Sequence, residues 1–160
     1  VETCKPPCAK ENIMNPTTSL SLSLILFSAS LHAGDCIPTP HRTTGTHYEP
    51  VTEHKIDIST GVRVRGKVLA APDCLPVGNA KVAHWQAGED GRYADRLRAY
   101  LFTDRQGRFQ FETEWPRLWP PHIHFIVTAE GYKKLETQWI GGERQNDIKF
   151  IMVVEAKDGD

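Results

Sequence analysis

The sequence predicts an all-β protein, an antiparallel sandwich or barrel that is preceded by an extended arm. Apolar and polar residues alternate in short runs, as at residues 62–69 and 109–113, and a period of two is typical of half-buried strands. Turn-forming pairs, Asp90-Gly91 and Gln106-Gly107, separate such runs. Residues 34–160 contain no segment with a sustained helical period, so two packed sheets are favoured.

Five strands are expected, each bounded by turn-forming residues: 62–69, 80–85, 109–113, 123–128 and 148–154. Turns are expected at residues 72–74 and 77–79. Neighbouring side chains on a strand point to opposite faces. We therefore expect His84 to face away from Trp85 and to be a packed or exposed histidine.

The first 33 residues are interpreted as a signal peptide with an upstream segment. Residues 20–31 form an apolar block of the length of a signal-peptide core, too short to cross a bilayer comfortably. An uncleaved buried helix is the alternative. We expect cleavage near Ala33, export to the periplasm or outside, and a mature chain without a stable membrane span. Residues 34–60 would form the extended arm, and residues 61–160 the metal-binding sandwich domain.

Export makes a disulfide between Cys36 and Cys74 the natural expectation, because they are the two cysteines left after cleavage. Their spacing lacks the paired pattern of a zinc site.

The composition excludes some partners. The chain has 19 Lys plus Arg and 20 Asp plus Glu, for a net charge of -1. We expect no nucleic acid as a partner, and the oligomeric state stays open.

The densest chemical signal is the segment 120–125, Pro-Pro-His-Ile-His-Phe. On a strand His122 and His124 share one face, so both imidazoles can meet one metal ion. Ile123 and Phe125 would then turn into the sandwich. A pair of surface or core histidines is the alternative.

The chain resembles the intradiol ring-cleavage dioxygenases, including their small secreted relatives. The resemblance rests on an ordered series of segments from Cys36 to Val154: Cys-Ile-Pro-Thr-Pro with Thr-Gly-Thr-His-Tyr-Glu-Pro, Val-Ala-His-Trp-Gln-Ala, Asp-Gly-Arg-Tyr, Thr-Asp-Arg-Gln-Gly-Arg-Phe, His-Ile-His-Phe and Gly-Tyr-Lys-Lys-Leu-Glu-Thr-Gln. It implies a β-sandwich of the intradiol dioxygenase type. It also implies a non-haem Fe(3+) that acts with dioxygen on a small aromatic substrate, a catechol or a related dihydroxy-aromatic.

Carried over residue by residue, the resemblance makes Tyr93, His122 and His124 the metal ligands and catalytic residues. The family pattern has a second tyrosinate and an arginine before the His-Ile-His. Here residues 113–122 contain no tyrosine. Trp119 takes the tyrosine's place or the arginine's place, depending on the direction of counting, and the arginine is missing or displaced to Arg117. An indole has no lone pair suited to iron.

With two histidines and one oxygen ligand, the site can equally hold Fe(2+), Cu(2+) or Zn(2+). A copper or zinc metalloprotein, or a non-catalytic binding module, is therefore the alternative function. Trp115, Trp119, Gln86 and Arg117 are candidates for the substrate pocket. Candidates to complete the metal's coordination sphere from elsewhere in the chain are Tyr48, Tyr100, Glu112 and Glu114, and Tyr48 on the arm is the first to check.

Overall fold

Eight strands form two sheets in the computed structural model, which describes residues 35–158 except residue 46. The strands are β1 (Val62–Ala70), β2 (Leu75–Pro76), β3 (Lys81–Ala87), β4 (Tyr93–Phe102), β5 (Arg108–Thr113), β6 (His122–Thr128), β7 (Leu135–Ile140) and β8 (Asp147–Val154). The predicted all-β sandwich is confirmed, and the described residues contain no helix. No helix long and apolar enough to span a membrane occurs among them either. The predicted signal peptide lies outside the described residues.

The first sheet is built around β1. One edge of β1 pairs with β8 in parallel, and the other pairs antiparallel with β5 and, at its end, with β2. The second sheet has the order β4-β3-β6-β7, and all its pairs are antiparallel. The parallel pair is a departure from a purely antiparallel sandwich.

The main core lies between the sheets. Val62, Val64 and Val68 point inward from β1, and Ile123 and Phe125 do so from β6 as predicted. These side chains follow the period of two, because alternate residues on a strand share a face.

Strand β3 is buried on both faces, since all its residues after Lys81 are buried. Ala83 and Trp85 lie on the outer face and form a second small cluster with Val51 of the arm. The arm therefore covers the outer face of the second sheet.

Disulfide and hydrogen bonds hold the arm in place. Cys36 and Cys74 form the predicted disulfide, 38 residues apart. The Thr39 N–H donates to the Val153 carbonyl at 3.0 Å, and the Arg42 N–H donates to the Glu136 carbonyl at 2.8 Å. The arm thus runs from β8 to β7 and on towards β6.

His84 faces away from Trp85, as the alternation predicts, and of the two expected states, packed or exposed, it is packed. It is fully buried, its ring stacks on Phe111 at 3.8 Å, and neither ring nitrogen has a hydrogen-bond partner among the described residues. Burial lowers the pKa of His84 from 6.5 to about 3, because a charged imidazolium loses its hydration there.

We predict that His84→Leu stabilises the protein and flattens its acid sensitivity. Between about pH 6.5 and pH 3 the unfolded chain binds a proton at His84 that the folded chain does not. Stability therefore falls as pH decreases through this window, by at most about 1.4 kcal/mol per pH unit. Urea unfolding at pH 7, 6, 5 and 4 measures the difference, with exposed His54→Leu as the control. An unchanged pH slope in His84→Leu would contradict the prediction.

We predict that replacing both Cys36 and Cys74 with Ala lowers the free energy of unfolding by roughly 3–4 kcal/mol, because the open chain regains the entropy of a long loop. Denaturant titration of the double variant against the oxidised protein tests this. A loss below about 1 kcal/mol would show that hydrogen bonds alone hold the arm.

Candidate metal centre

Tyr93, His122 and His124 meet on the outer face of the second sheet. The Tyr93 hydroxyl lies 3.0 Å from His122 Nε2 and 3.1 Å from His124 Nε2. The two imidazoles come from one face of β6, and the phenol comes from the first residue of β4. The structure thus brings together the three residues predicted as ligands.

A bulge and a tight turn place Tyr93. The β3–β4 register shifts between Trp85 and Ala87, and Ala87 then pairs with Tyr93. A bulge of this kind redirects the side chains that follow it. The turn before Tyr93 is closed by the Gly88 N–H donating to the Arg92 carbonyl at 2.9 Å, and Gly91 has φ +76°. Glycine takes up this left-handed backbone at little cost.

The two histidines are oriented in different ways. His122 Nδ1 donates to the Pro120 carbonyl at 2.8 Å, which leaves the lone pair of Nε2 directed at the centre. The ring of His124 instead stacks on Trp85 at 4.9 Å with an interplanar angle of 4°, and its Nδ1 is buried without a hydrogen-bond partner.

The protonation states favour neutral donors. Burial, followed by the charges of His122 and His47, lowers the pKa of His124 to about 4. Burial also raises the pKa of the Tyr93 hydroxyl. Without a cation nearby the tyrosine is therefore a phenol, and a metal ion would supply the charge that stabilises a phenolate.

The three donor atoms fit a metal ion. Atoms that bind one ion at about 2.0–2.2 Å lie about 3 Å from each other when their bonds to the ion are at right angles, and roughly 3.5 Å apart in a tetrahedral site, so the N···O separations of 3.0 and 3.1 Å are close to those of a bound set. The single hydroxyl proton of Tyr93 can be donated to only one of the two imidazole lone pairs at a time. A metal ion can bind the phenol oxygen and both imidazole nitrogens together. Among the described residues, His, Cys, Asp and Glu form no cluster of three that could hold a metal as the side chains stand, so the third donor of the set is the Tyr93 oxygen.

A cavity of about 320 Å³ opens onto the three donors. Its lining residues are Gly45, His47, Tyr93, Leu118, His122, His124 and Gln138. A larger cavity of about 570 Å³ lies on the other sheet beside Arg65 and Lys149. It contains none of the predicted ligands, so the smaller cavity is the candidate site.

The four predicted pocket residues lie elsewhere. Trp115 is buried and packs edge-on against Trp139. Gln86 is buried and donates to the Glu114 carbonyl at 2.6 Å. Trp119 is 86% exposed, and Arg117 is exposed too. None of them lines the cavity next to the donors, so their role at the substrate stays a prediction that the geometry does not support.

The side chains considered as further ligands are engaged elsewhere. Tyr48 meets the edge of Trp85 at 5.3 Å, and Tyr100 stacks with His54 at 5.3 Å. Glu112 pairs with Arg63 at 3.1 Å, and Glu114 pairs with Arg96 at 2.8 Å.

Sequence reasoning missed His47 and Gln138. Gln138 pairs directly with His124 across β6 and β7, a neighbour that the strand order would have revealed. His47 lies beside Tyr48, in an arm segment that the sequence analysis did single out. The arm has no regular alternation there, so the side chain that would face the centre was not predictable.

No family model matches the chain. The chain is 28% identical over 155 residues to catechol 1,2-dioxygenase 2 of Acinetobacter lwoffii, covering 73% of this chain and 56% of the relative. It is 31% identical over 99 residues to hydroxyquinol 1,2-dioxygenase of Rhodococcus opacus, covering 44% and 33%. The chain thus spans about half, or less, of the length of these curated relatives.

Solved structures agree in fold. The dioxygenase domain of a dioxygenase carbohydrate-binding protein fusion from the cellulolytic bacterium Streptomyces sp. SirexAA-E matches with a TM-score of 0.68 at 23% identity, over 76% of this chain and 100% of that domain. At this identity the match shows the fold. Together the comparisons confirm the resemblance seen in the sequence: the relatives of this chain, in sequence and in fold, are intradiol ring-cleavage dioxygenases.

Proposed function

We propose that this chain is an exported, iron-dependent oxidoreductase of the intradiol type, which opens the ring of a catechol or related dihydroxy-aromatic with dioxygen. The convergence of Tyr93, His122 and His124 within 3.0–3.1 Å carries the proposal. Both atoms of dioxygen would enter the product, and the ring would break between the two hydroxyl-bearing carbons to give a diacid.

Tyr93, His122 and His124 would hold the iron. When bound, Fe(3+) supplies the Lewis-acid and electron-accepting chemistry that makes a dihydroxy-aromatic ring reactive towards dioxygen. The Tyr93 phenolate is a hard, negatively charged donor that favours the ferric state. The hydrogen bond from His122 Nδ1 to the Pro120 carbonyl leaves Nε2 as the nitrogen available to the metal, and the low pKa of His124 keeps its imidazole neutral.

The cavity would orient the substrate beside these donors. Leu118 supplies an apolar wall and Gln138 a polar one. The Gln138 amide nitrogen donates to the Thr43 carbonyl at 2.8 Å, so its oxygen is left to accept a hydrogen bond from a substrate hydroxyl. The disulfide between Cys36 and Cys74 supports export, since such bridges persist in oxidising compartments.

A second candidate is a copper or zinc protein on the same scaffold, with a different reaction or a binding role. The segment between β5 and β6 favours it, because that segment contains no tyrosine and its Trp119 is turned into solvent. Loss of one phenolate removes a charge that would favour ferric iron, and a site of two imidazoles and one oxygen also suits Cu(2+) or Zn(2+).

We predict that His122→Ala and His124→Ala each abolish metal binding and leave the sandwich folded, because each removes one of three converging donors. Metal content after dialysis, together with circular dichroism, measures both outcomes. His54→Ala, which changes an exposed histidine away from the cavity, is the matched control. Full metal occupancy in both variants would refute the assigned site.

We predict that the iron-loaded protein has a visible tyrosinate-to-iron absorption band that shifts on addition of catechol, and that Tyr93→Phe loses the band. Removing the hydroxyl deletes the phenolate and preserves the ring that packs beside His124. Tyr48→Phe is the control and should keep the band. A colourless iron-loaded wild type would oppose the ferric proposal and favour the copper or zinc candidate.

A further inference from the structure

We propose that His47 binds the metal as a third imidazole, in place of the second phenolate that the segment before β6 does not supply. The inference rests on the proposed function, since it assumes that Tyr93, His122 and His124 hold a metal. It gives the arm a direct role at the centre in addition to covering the sheet.

The arm is fixed to two neighbouring residues of the edge strand β7 before it reaches the site. The Thr137 hydroxyl donates to the Pro40 carbonyl at 3.1 Å, and the Gln138 amide donates to the Thr43 carbonyl at 2.8 Å. Because β7 pairs with β6, these bonds bring the arm over the strand that carries both histidine ligands.

Gly45 lets the arm approach the centre closely. Its φ is +76°, a left-handed backbone that suits glycine. A Cβ at this position would lie 3.4 Å from Cε1 of His124. Two residues further on, His47 reaches the cavity wall.

The imidazole of His47 lies against the ligand set. Its ring stacks on Tyr93 with a centroid separation of 4.7 Å and an interplanar angle of 15°. Tyr93 is the residue whose oxygen lies between the two histidine nitrogens. Within the described part of the chain, His47 is exposed and neither of its ring nitrogens is hydrogen-bonded, so a lone pair is available.

The chemistry of imidazole suits the position. A neutral imidazole is a good ligand for iron, copper and zinc alike, whereas an indole offers no such lone pair. The other aromatic residues near the site are occupied or turned away: Tyr48 packs on Trp85, and Trp119 is exposed. In the described arrangement His47 does not form a metal-holding trio with His122 and His124, so binding requires its exposed ring to turn from the stack on Tyr93 towards the ion. Rotation about its two side-chain torsions is the motion needed.

The test is His47→Phe in the full chain, because phenylalanine keeps the stack on Tyr93 and removes the lone pair. His54→Phe is a closely matched control, since His54 is another exposed arm histidine stacked on a tyrosine, Tyr100. The probe is Cu(2+) alone. Its affinity is measured by competition with a chelator, and its nitrogen ligands are counted by electron paramagnetic resonance.

We expect three nitrogen ligands in the wild type and in His54→Phe, and two in His47→Phe. We also expect His47→Phe to bind Cu(2+) more weakly by on the order of 10–100-fold. Losing a residue that only hydrogen-bonds to a metal ligand already lowers metal affinity by this much. Two nitrogens in the wild type, or unchanged affinity in His47→Phe, would overturn the role of His47 and leave the three-donor site intact. No Cu(2+) binding by the wild type would overturn the metal site itself.

Discussion

The pairing of β6 with β3, which places His124 opposite Trp85, is the constraint on which the candidate site depends. It directs both histidines of β6 to the outer face of the sheet and sends Ile123 and Phe125 into the core. A shift of one residue would exchange the two faces. The apolar core between the sheets therefore fixes the register of the ligands, and the indole of Trp85 fixes the plane of His124.

A site on an outer sheet face needs a cover, and the arm provides it. Trp85 is 1% exposed and His124 is 4% exposed, although both point away from the main core. The arm achieves this with few apolar residues: Val51 packs beside Trp85, while the disulfide and backbone hydrogen bonds hold the rest. Such an arrangement makes the environment of the centre depend on a segment that contributes little to the core.

Much of the fold was predictable because it follows local alternation, and the remainder depends on contacts that are distant in sequence. The predicted strands at 62–69, 80–85, 109–113, 123–128 and 148–154 correspond to β1, β3, β5, β6 and β8. β4 was not predicted, because one face packs in the core through Leu101, while the arm covers part of the other face, where the buried Arg98 interrupts the apolar pattern. β7 was not predicted either, because the buried Thr137 takes a position on the strand where an apolar residue would be expected.

The candidate site also was predictable only in part. The shared face of His122 and His124 follows from strand geometry, while the approach of Tyr93 needed the family resemblance, since it depends on a bulge and a turn.

The segment between β5 and β6 contains no tyrosine, and this changes the total charge of the donor set. One phenolate and neutral imidazoles carry one negative charge, one less than a set with two phenolates, so the higher oxidation state of a metal is stabilised less. Burial around Tyr93, which raises the pKa of its hydroxyl, makes the remaining phenolate dependent on a nearby cation. A catecholate that binds through two oxygens would bring further negative charge to the centre. Under the proposed function, part of the negative charge that stabilises a ferric ion would therefore come from the bound catecholate rather than from the protein alone.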